Sequence, residues 1–528
     1  MPIDLKNLSV QKMLAQRVMP RLDGSMLEDP DYIKGIFSLI DAGAGGFILF
    51  GGEYWEVRKA LPKLQARAKV PLIIASDMER GAGQQLAGGT VFPCQMAVAA
   101  ATSLVSGEGA GLVKEMADSL AFEARAAGVN AVFTPVLDVN SNPDNPIICT
   151  RAFSDEPQKV SALGELYIAG LQTGRTPVMA CAKHYPGHGD AALDSHSALP
   201  RIDKDKESLE DEDMLPFRKA VMAGVEMVMA GHLLVPAIDP LYPASLSKKV
   251  IKDFLRTRSG FEGLVVTDAL DMGAVAGAYS PREAARLAIK AGADILLHPA
   301  SPADYLRELF ALSDEKGVTK EEVMSCAGKM QRAKAKYAVP VKLTDAAVHE
   351  RMSQDRELAQ TIAERALTLV KADGAFPALQ DIKGNILHVV VDDDGNRMAG
   401  RVIRSVLKAR NKKTKNLVVN NETVGRLRGE AMKAARSSQI TLVSIFSRVS
   451  AGKGRSGLSP ELSEFCAQLV AKTRKTVVVS FGSPYILRGL MGASYVVAAY
   501  DPGEAMQMAA CRAFSGEIFF GGELPVRI

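Results

Sequence analysis

LVVTD, residues 264–268, sets four apolar or β-branched residues in front of a carboxylate. The run is too short for a helix and offers no polar face, so it reads as a parallel strand buried on both sides, with Asp268 where the strand leaves the core. Seven more runs share the pattern: VMPRL (18–22), GFILF (46–50), LIIAS (72–76), VFTPV (132–136), VMACAK (178–183), MVMAG (227–231) and DILLH (294–298). Each is followed by a longer stretch of helical periodicity. Eight strands alternating with helices is the count of a closed (β/α)8 barrel, a TIM barrel, whose active-site residues gather at the C-terminal strand ends.

The runs end in, or lead straight into, Asp77, Asp138, Lys183 with His184, His232, Asp268 and His298, and their interiors carry almost no charge. Polar residues begin wherever strands stop, but this excess of Asp and His over Ser, Gly and Asn points to a functional rim.

After Tyr337 the pattern changes. Val339-Pro340 breaks the chain, and a charged helical segment from about Asp345 to Lys371 leads to new strand-like runs: ILHVVVD (386–392), ITLVSIF (440–446), TVVVSFG (476–482) and YVVAAY (495–500). The division expected is an α/β barrel over 1–340, a helical linker over 341–370 and a smaller α/β three-layer sandwich over 371–528. A length of 528 residues suits two domains.

Composition narrows the function classes. A 47% hydrophobic, 23% charged chain is a globular protein, not a disordered or fibrous one. Its 64 basic and 60 acidic residues give a net charge of +4, without the concentrated positive field of a nucleic-acid binder. The basic run KARNKKTK (408–415) reads as a solvated, loop-like face. The N-terminal twenty residues lack an apolar signal region, no stretch is apolar enough to span a membrane, and the six cysteines show no CxxC spacing; a cytoplasmic address with reduced thiols is expected. Neither GAGGFILFGG (43–52) nor AGKGRSG (451–457) has phosphate-loop spacing; the latter reads as a mobile loop, and no cofactor is implied.

KHYPGHGDAALDSH (183–196) holds three of the seven histidines. His184 and His188 have zinc-helix spacing, but Pro186, Gly187 and Gly189 disfavour a helix and no third ligand stands nearby, so no metal is expected. Asp194 and His196, two apart, would share one side of an extended segment, where the carboxylate can accept from the imidazole. That pair is either a loop-stabilising hydrogen bond or a tuned proton donor. Asp268 favours the second reading: a carboxylate nucleophile facing a separate proton donor is the minimal retaining-glycosidase apparatus.

These residues resemble a known family. KHYPGHGD followed by DSH, with FEGLVVTDALDMGAV downstream, is similar to glycoside hydrolase family 3, in its β-N-acetylglucosaminidase (NagZ-type) branch. GGFILFGG, FTPVLDVNSNPDNPI, RAFSDEP, LPFRKAV, MAGH, AGADILL, AERALTLVK and SFGSPYIL extend the likeness in the same order over nearly the whole chain. The resemblance implies a retaining, exo-acting β-N-acetylglucosaminidase acting on small carbohydrates such as cell-wall fragments. Within it Asp268 would be the nucleophile and His196 the acid/base, tuned by Asp194. Lys183, His184, Arg151 and Asp77 would bind the sugar. One position departs: the family reads Asp-Gln-Glu-Gly-Gly with an arginine eight residues after the aspartate, whereas this chain has Asp77-Met78-Glu79-Arg80-Gly81 and Gln85. A phosphorylase using the same pair, and a silent carbohydrate-binding protein, are the other readings. The resemblance assigns the second domain no part in proton transfer, because DSH lies in the barrel.

Overall fold

The computed structural model describes residues 5–102, 107–195, 198–314, 318–396, 398–411, 413–450, 452–473 and 475–528. The chain divides into two compact units: 1–91, 113–139 and 157–355 form the first, and 92–112, 140–156 and 356–528 the second.

The strands of the first unit are β1 (Val18–Met19), β2 (Arg21–Asp23), β3 (Gly46–Phe50), β4 (Ile73–Ser76), β5 (Ala131–Val132), β6 (Met179–Tyr185), β7 (Met227–Ala230), β8 (Leu264–Thr267) and β9 (Leu296–Leu297). β2 to β8 make one curled parallel sheet in sequence order, while β1 pairs in parallel with β9. VMPRL is therefore two strands. Pro20 lacks an N–H and divides it, so its first half bonds to β9 and its second to β3. An isolated parallel bridge joins Val266 to Ile295. VFTPV keeps ladder geometry only at its start, yet it stays in step with β6: Cys181 N donates to Thr134 O, Lys183 N to Pro135 O and Leu137 N to Lys183 O. That register brings Asp138 beside His184.

The intervening helices carry their own stop signals. Asp29 caps Pro30–Ala42 by accepting from Asp31 N and Tyr32 N, and Gly43 ends that helix at φ 109°, where a side chain would be strained. Ser280 and Gly292 frame Pro281–Ala291 in the same way. Among the described residues, no helix is long and apolar enough to cross a membrane.

The second unit holds β10 (Thr368–Ala372), β11 (Ile386–Asp392), β12 (Thr414–Asn420), β13 (Ile440–Ser447), β14 (Thr476–Gly482) and β15 (Tyr495–Ala498), in the order β10-β15-β14-β13-β11-β12. The sheet is mixed: β10 runs antiparallel to β15 and the other pairs are parallel.

Three local expectations change. The helix Asp345–Ala366 stops before Thr368, because Thr368-Leu369-Val370 suits a strand edge and becomes β10. KARNKKTK is the end of the helix Arg401–Arg410 followed by the start of β12, not one loop. The described part of AGKGRSG is tied down: Lys453 Nζ lies 2.8 Å from Asp393 and 2.7 Å from Asp394, and Arg455 lies 2.9 Å from Asp393.

Candidate active site

Lys183 and His184 occupy the last turn of pleat in β6, one residue before the strand ends at Tyr185. Successive side chains of a strand point to opposite faces, and the two find different partners accordingly. Lys183 Nζ, almost wholly buried, sits between Asp77 Oδ1 at 2.7 Å and Glu79 Oε1 at 2.8 Å. Asp77 follows β4 directly and keeps about a third of its side chain exposed, whereas Glu79 is buried. A single ammonium thus neutralises one carboxylate inside and holds another at the edge of solvent.

His184 meets Asp138, which is fully buried. Asp138 Oδ2 lies 2.8 Å from His184 Nδ1, and Asp138 Oδ1 accepts from the backbone N–H of His184 (3.1 Å) and of His188 (2.7 Å). Burial alone would raise the Asp138 carboxyl, but its contacts with His184 and His188 outweigh it and hold the group below its ordinary value. His188 lies deeper. Burial pushes its imidazole down to about 4, so the ring is neutral at physiological pH, and its Nε2 meets Ser195 Oγ at 3.1 Å. Asp194 is buried next to that contact.

Asp268 leaves β8 half-buried, with its N–H donating to Ala230 O of β7 and its Oδ1 accepting from Ala269 N at 2.8 Å. The turn after it is fixed by His232, whose Nε2 is 2.9 Å from Ala269 O and whose Nδ1 is 2.7 Å from Ser245 Oγ. Since a carbonyl only accepts, Nε2 carries the proton and Nδ1 accepts from the serine hydroxyl. His298, the last of the rim histidines, pairs with Asp271 at 3.0 Å. One buried group reports that the two partly exposed carboxylates share a neighbourhood: burial pushes the Cys181 thiol of β6 up, and the charges of both Asp77 and Asp268 push it further.

The structure thus places Asp77, Lys183 with His184, and Asp268 at the ends of alternate strands, β4, β6 and β8, with Asp194 on the loop anchored through His188. Arg151 belongs to the stretch 140–156 of the second unit, where its guanidinium donates to Ile147 O. His196 lies outside the described residues. The Asp194–His196 pairing expected from the spacing lies outside the described residues with it; of that loop, Asp194 O accepts from Ala198 N at 3.2 Å. Gln85 turns inward and donates to the Asp77 carbonyl at 3.2 Å, bracing that aspartate's backbone.

Sequence reasoning missed Glu79 as the partner of Lys183 and gave Asp138 no role. Both had a signal: Glu79 is an acid in an apolar, glycine-rich loop, and Asp138 closes an otherwise uncharged strand run. Among the described residues, no group of three or more His, Cys, Asp or Glu side chains could hold a metal ion.

The chain is similar to several known proteins. Beta-hexosaminidase A of Pseudoalteromonas piscicida is 31% identical over 355 residues, covering 62% of this chain and 58% of its own length. A beta-hexosaminidase of Chromobacterium violaceum is 37% identical over 273 residues, covering 51% of this chain and 75% of the relative. The chain thus spans little more than half of the first relative and three quarters of the second. Among solved structures, a glycoside hydrolase family 3 beta-N-acetylglucosaminidase from Paenibacillus sp. str. FPU-7 superposes with a TM-score of 0.84 at 29% identity, covering 98% of this chain and 99% of that one. The model of the glycosyl hydrolase family 3 N terminal domain matches residues 40–333, more than half of the 528 residues. The chain belongs to glycosyl hydrolase family 3.

Proposed function

We propose that this chain is a retaining, exo-acting β-N-acetylglucosaminidase that removes terminal N-acetylglucosamine from small glycosides by double displacement. The observation that carries the reading is the pairing of a half-buried carboxylate at the end of β8, Asp268, with the Lys183–Asp77 ion pair and His184 at the ends of the alternate strands β6 and β4. A carboxylate partly exposed at a strand end can attack an anomeric carbon. A carboxylate, an ammonium and an imidazole beside it can grip the hydroxyls of one sugar ring.

In the first step Asp268 attacks the anomeric carbon while a proton passes to the departing oxygen. In the second, water attacks the glycosyl ester and Asp268 leaves as carboxylate. We assign proton transfer to His196, with Asp194 as its orienting carboxylate, and sugar contacts to Asp77, Lys183, His184 and Arg151. The contact of His188 Nε2 with Ser195 Oγ, which fixes the residue next to Asp194 at the base of the loop, supports the first assignment.

We infer further that the first unit is a closed (β/α)8 barrel. β1 bonds to β9 while β2 continues the same segment into the sheet, and the Val266–Ile295 bridge lies between β8 and β9, so every strand segment has a neighbour on each side. The remainder, after the linker, we read as a three-layer α/β sandwich built on the mixed sheet. The six cysteines form no disulfide, which suits a cytoplasmic enzyme.

Aryl β-glycosides with and without a 2-acetamido group, turned over in phosphate and in phosphate-free buffer, test the reading. Preferred release of free N-acetylglucosamine is expected in both buffers. Sugar 1-phosphate as the main product would make the protein a phosphorylase, and no turnover of any glycoside would refute the proposal.

A further inference from the structure

Asp138 is fully buried and bonds directly to one of the sugar-binding candidates, His184, and its carboxylate accepts three hydrogen bonds. Its Oδ1 takes the backbone N–H of both His184 and His188, and its Oδ2 faces His184 Nδ1 at 2.8 Å. A carboxylate held below its ordinary value has no proton to give, so the hydrogen in the Oδ2 contact belongs to Nδ1. With that hydrogen on Nδ1, the neutral form of the ring keeps its lone pair at Nε2, on the side away from Asp138. His188 continues the connection: its backbone is fixed by Asp138, and its neutral side chain meets Ser195, next to Asp194.

We propose that Asp138 is a positioning residue that sets the tautomer of His184, making Nε2 a hydrogen-bond acceptor toward a sugar hydroxyl, and that it joins this grip to the base of the Asp194 loop through His188. The consequence for the sugar rests on the glycosidase reading above; the tautomer does not. Removing the carboxylate charge should free the ring to move its proton to Nε2, turning an acceptor into a donor where a hydroxyl is to be received. Other charges face this pair from neighbouring strands: Lys183 with Asp77 and Glu79 on β6 and the β4 loop, and Asp268 after β8, which acts on His188.

Nitrogen-15 histidine spectra of the wild-type protein read the tautomer without any substrate. A His184 ring protonated at Nδ1 and bare at Nε2 is the expected result, and a proton on Nε2, alone or together with Nδ1, overturns the proposal. Asp138→Asn should shift the proton to Nε2 and lower kcat/KM roughly 100-fold, the cost of a misplaced contact at a reacting centre. In a His184→Ala background the same substitution should cost far less, because its main route of action is gone; an undiminished loss there would show Asp138 acting as a general structural support and overturn the proposal. If Asp138→Asn fails to fold, the wild-type spectrum still decides. Wild-type protein that turns over no glycoside while showing the Nδ1 tautomer would refute the proposed function alone.

Discussion

Both sheets of this molecule run into aspartates at the C-terminal ends of their parallel strands, and the two sets are used differently. After β11, Asp393 is buried and saturated: Lys453, Arg455 and the Ser459 N–H all reach its carboxylate. After β8, Asp268 stays half-buried with one oxygen on its own chain's Ala269 N–H, and after β4, Asp77 shares its lysine with Glu79 and remains partly exposed. Strand ends collect charge in both units because the backbone leaves the core there. What separates a site from a brace here is whether the carboxylate stays partly exposed at its strand end or is buried among its ion-pair partners.

Asp268→Ala should give the largest effect: turnover of an aryl N-acetyl-β-glucosaminide falls roughly 10^4-fold or more, with the thermal midpoint little changed, since a half-buried side chain is removed without opening the core. Glu79→Gln comes next. It leaves Lys183 with one carboxylate instead of two, and a loss in kcat/KM of about tenfold is expected, felt mainly in KM if Lys183 grips the ground-state sugar.

Asp393→Asn should reverse that signature. It leaves Lys453 and Arg455 facing an uncharged amide in a buried site, so a loss of about 3 kcal/mol in denaturant unfolding is expected, with activity per folded molecule unchanged. A large kinetic effect with no stability loss would break the contrast between the two strand-end clusters.

The smallest effect concerns pH. Lys334 is fully buried, its Nζ donates to Gln16 Oε1 at 2.6 Å and Gly45 O at 2.9 Å, and burial pushes its ammonium down to about 7. Between about 7 and the ordinary lysine value of 10.5 the unfolded chain binds a proton that the folded one has released, so this group makes stability rise with pH across that window and contributes no slope below it, where both states are protonated. Lys334→Met should flatten the slope by on the order of 1 kcal/mol per pH unit, read as the difference between mutant and wild-type urea midpoints at pH 7 and pH 8.5.

Much of this arrangement is legible in the sequence because buried parallel strands leave a strong signature. LVVTD, GFILF and ILHVVVD are uniformly apolar for a physical reason, and the residues that end them are polar for the complementary one. The misses fall where local pattern and three-dimensional partner part company. VMPRL reads as one strand, but only its pairing to β3 on one side of Pro20 and to β9 on the other reveals two. Thr368–Ala372 follows a helix almost without a break, so periodicity carries the helix past its end. Glu79 and Asp138 show their roles only through Lys183 and His184, which lie 104 and 46 positions away in sequence. The resemblance to family 3 supplied the identity of the nucleophile that spacing alone could only favour.

The most direct test of the central claim, that Asp268 is a nucleophile, is mass spectrometry of the protein after reaction with an activated fluorinated N-acetylglucosaminyl fluoride whose intermediate breaks down slowly. A single glycosyl adduct is expected on the peptide containing Asp268, absent from Asp268→Ala. An adduct on a different residue, or full turnover of the reagent with no adduct at any time, would contradict it.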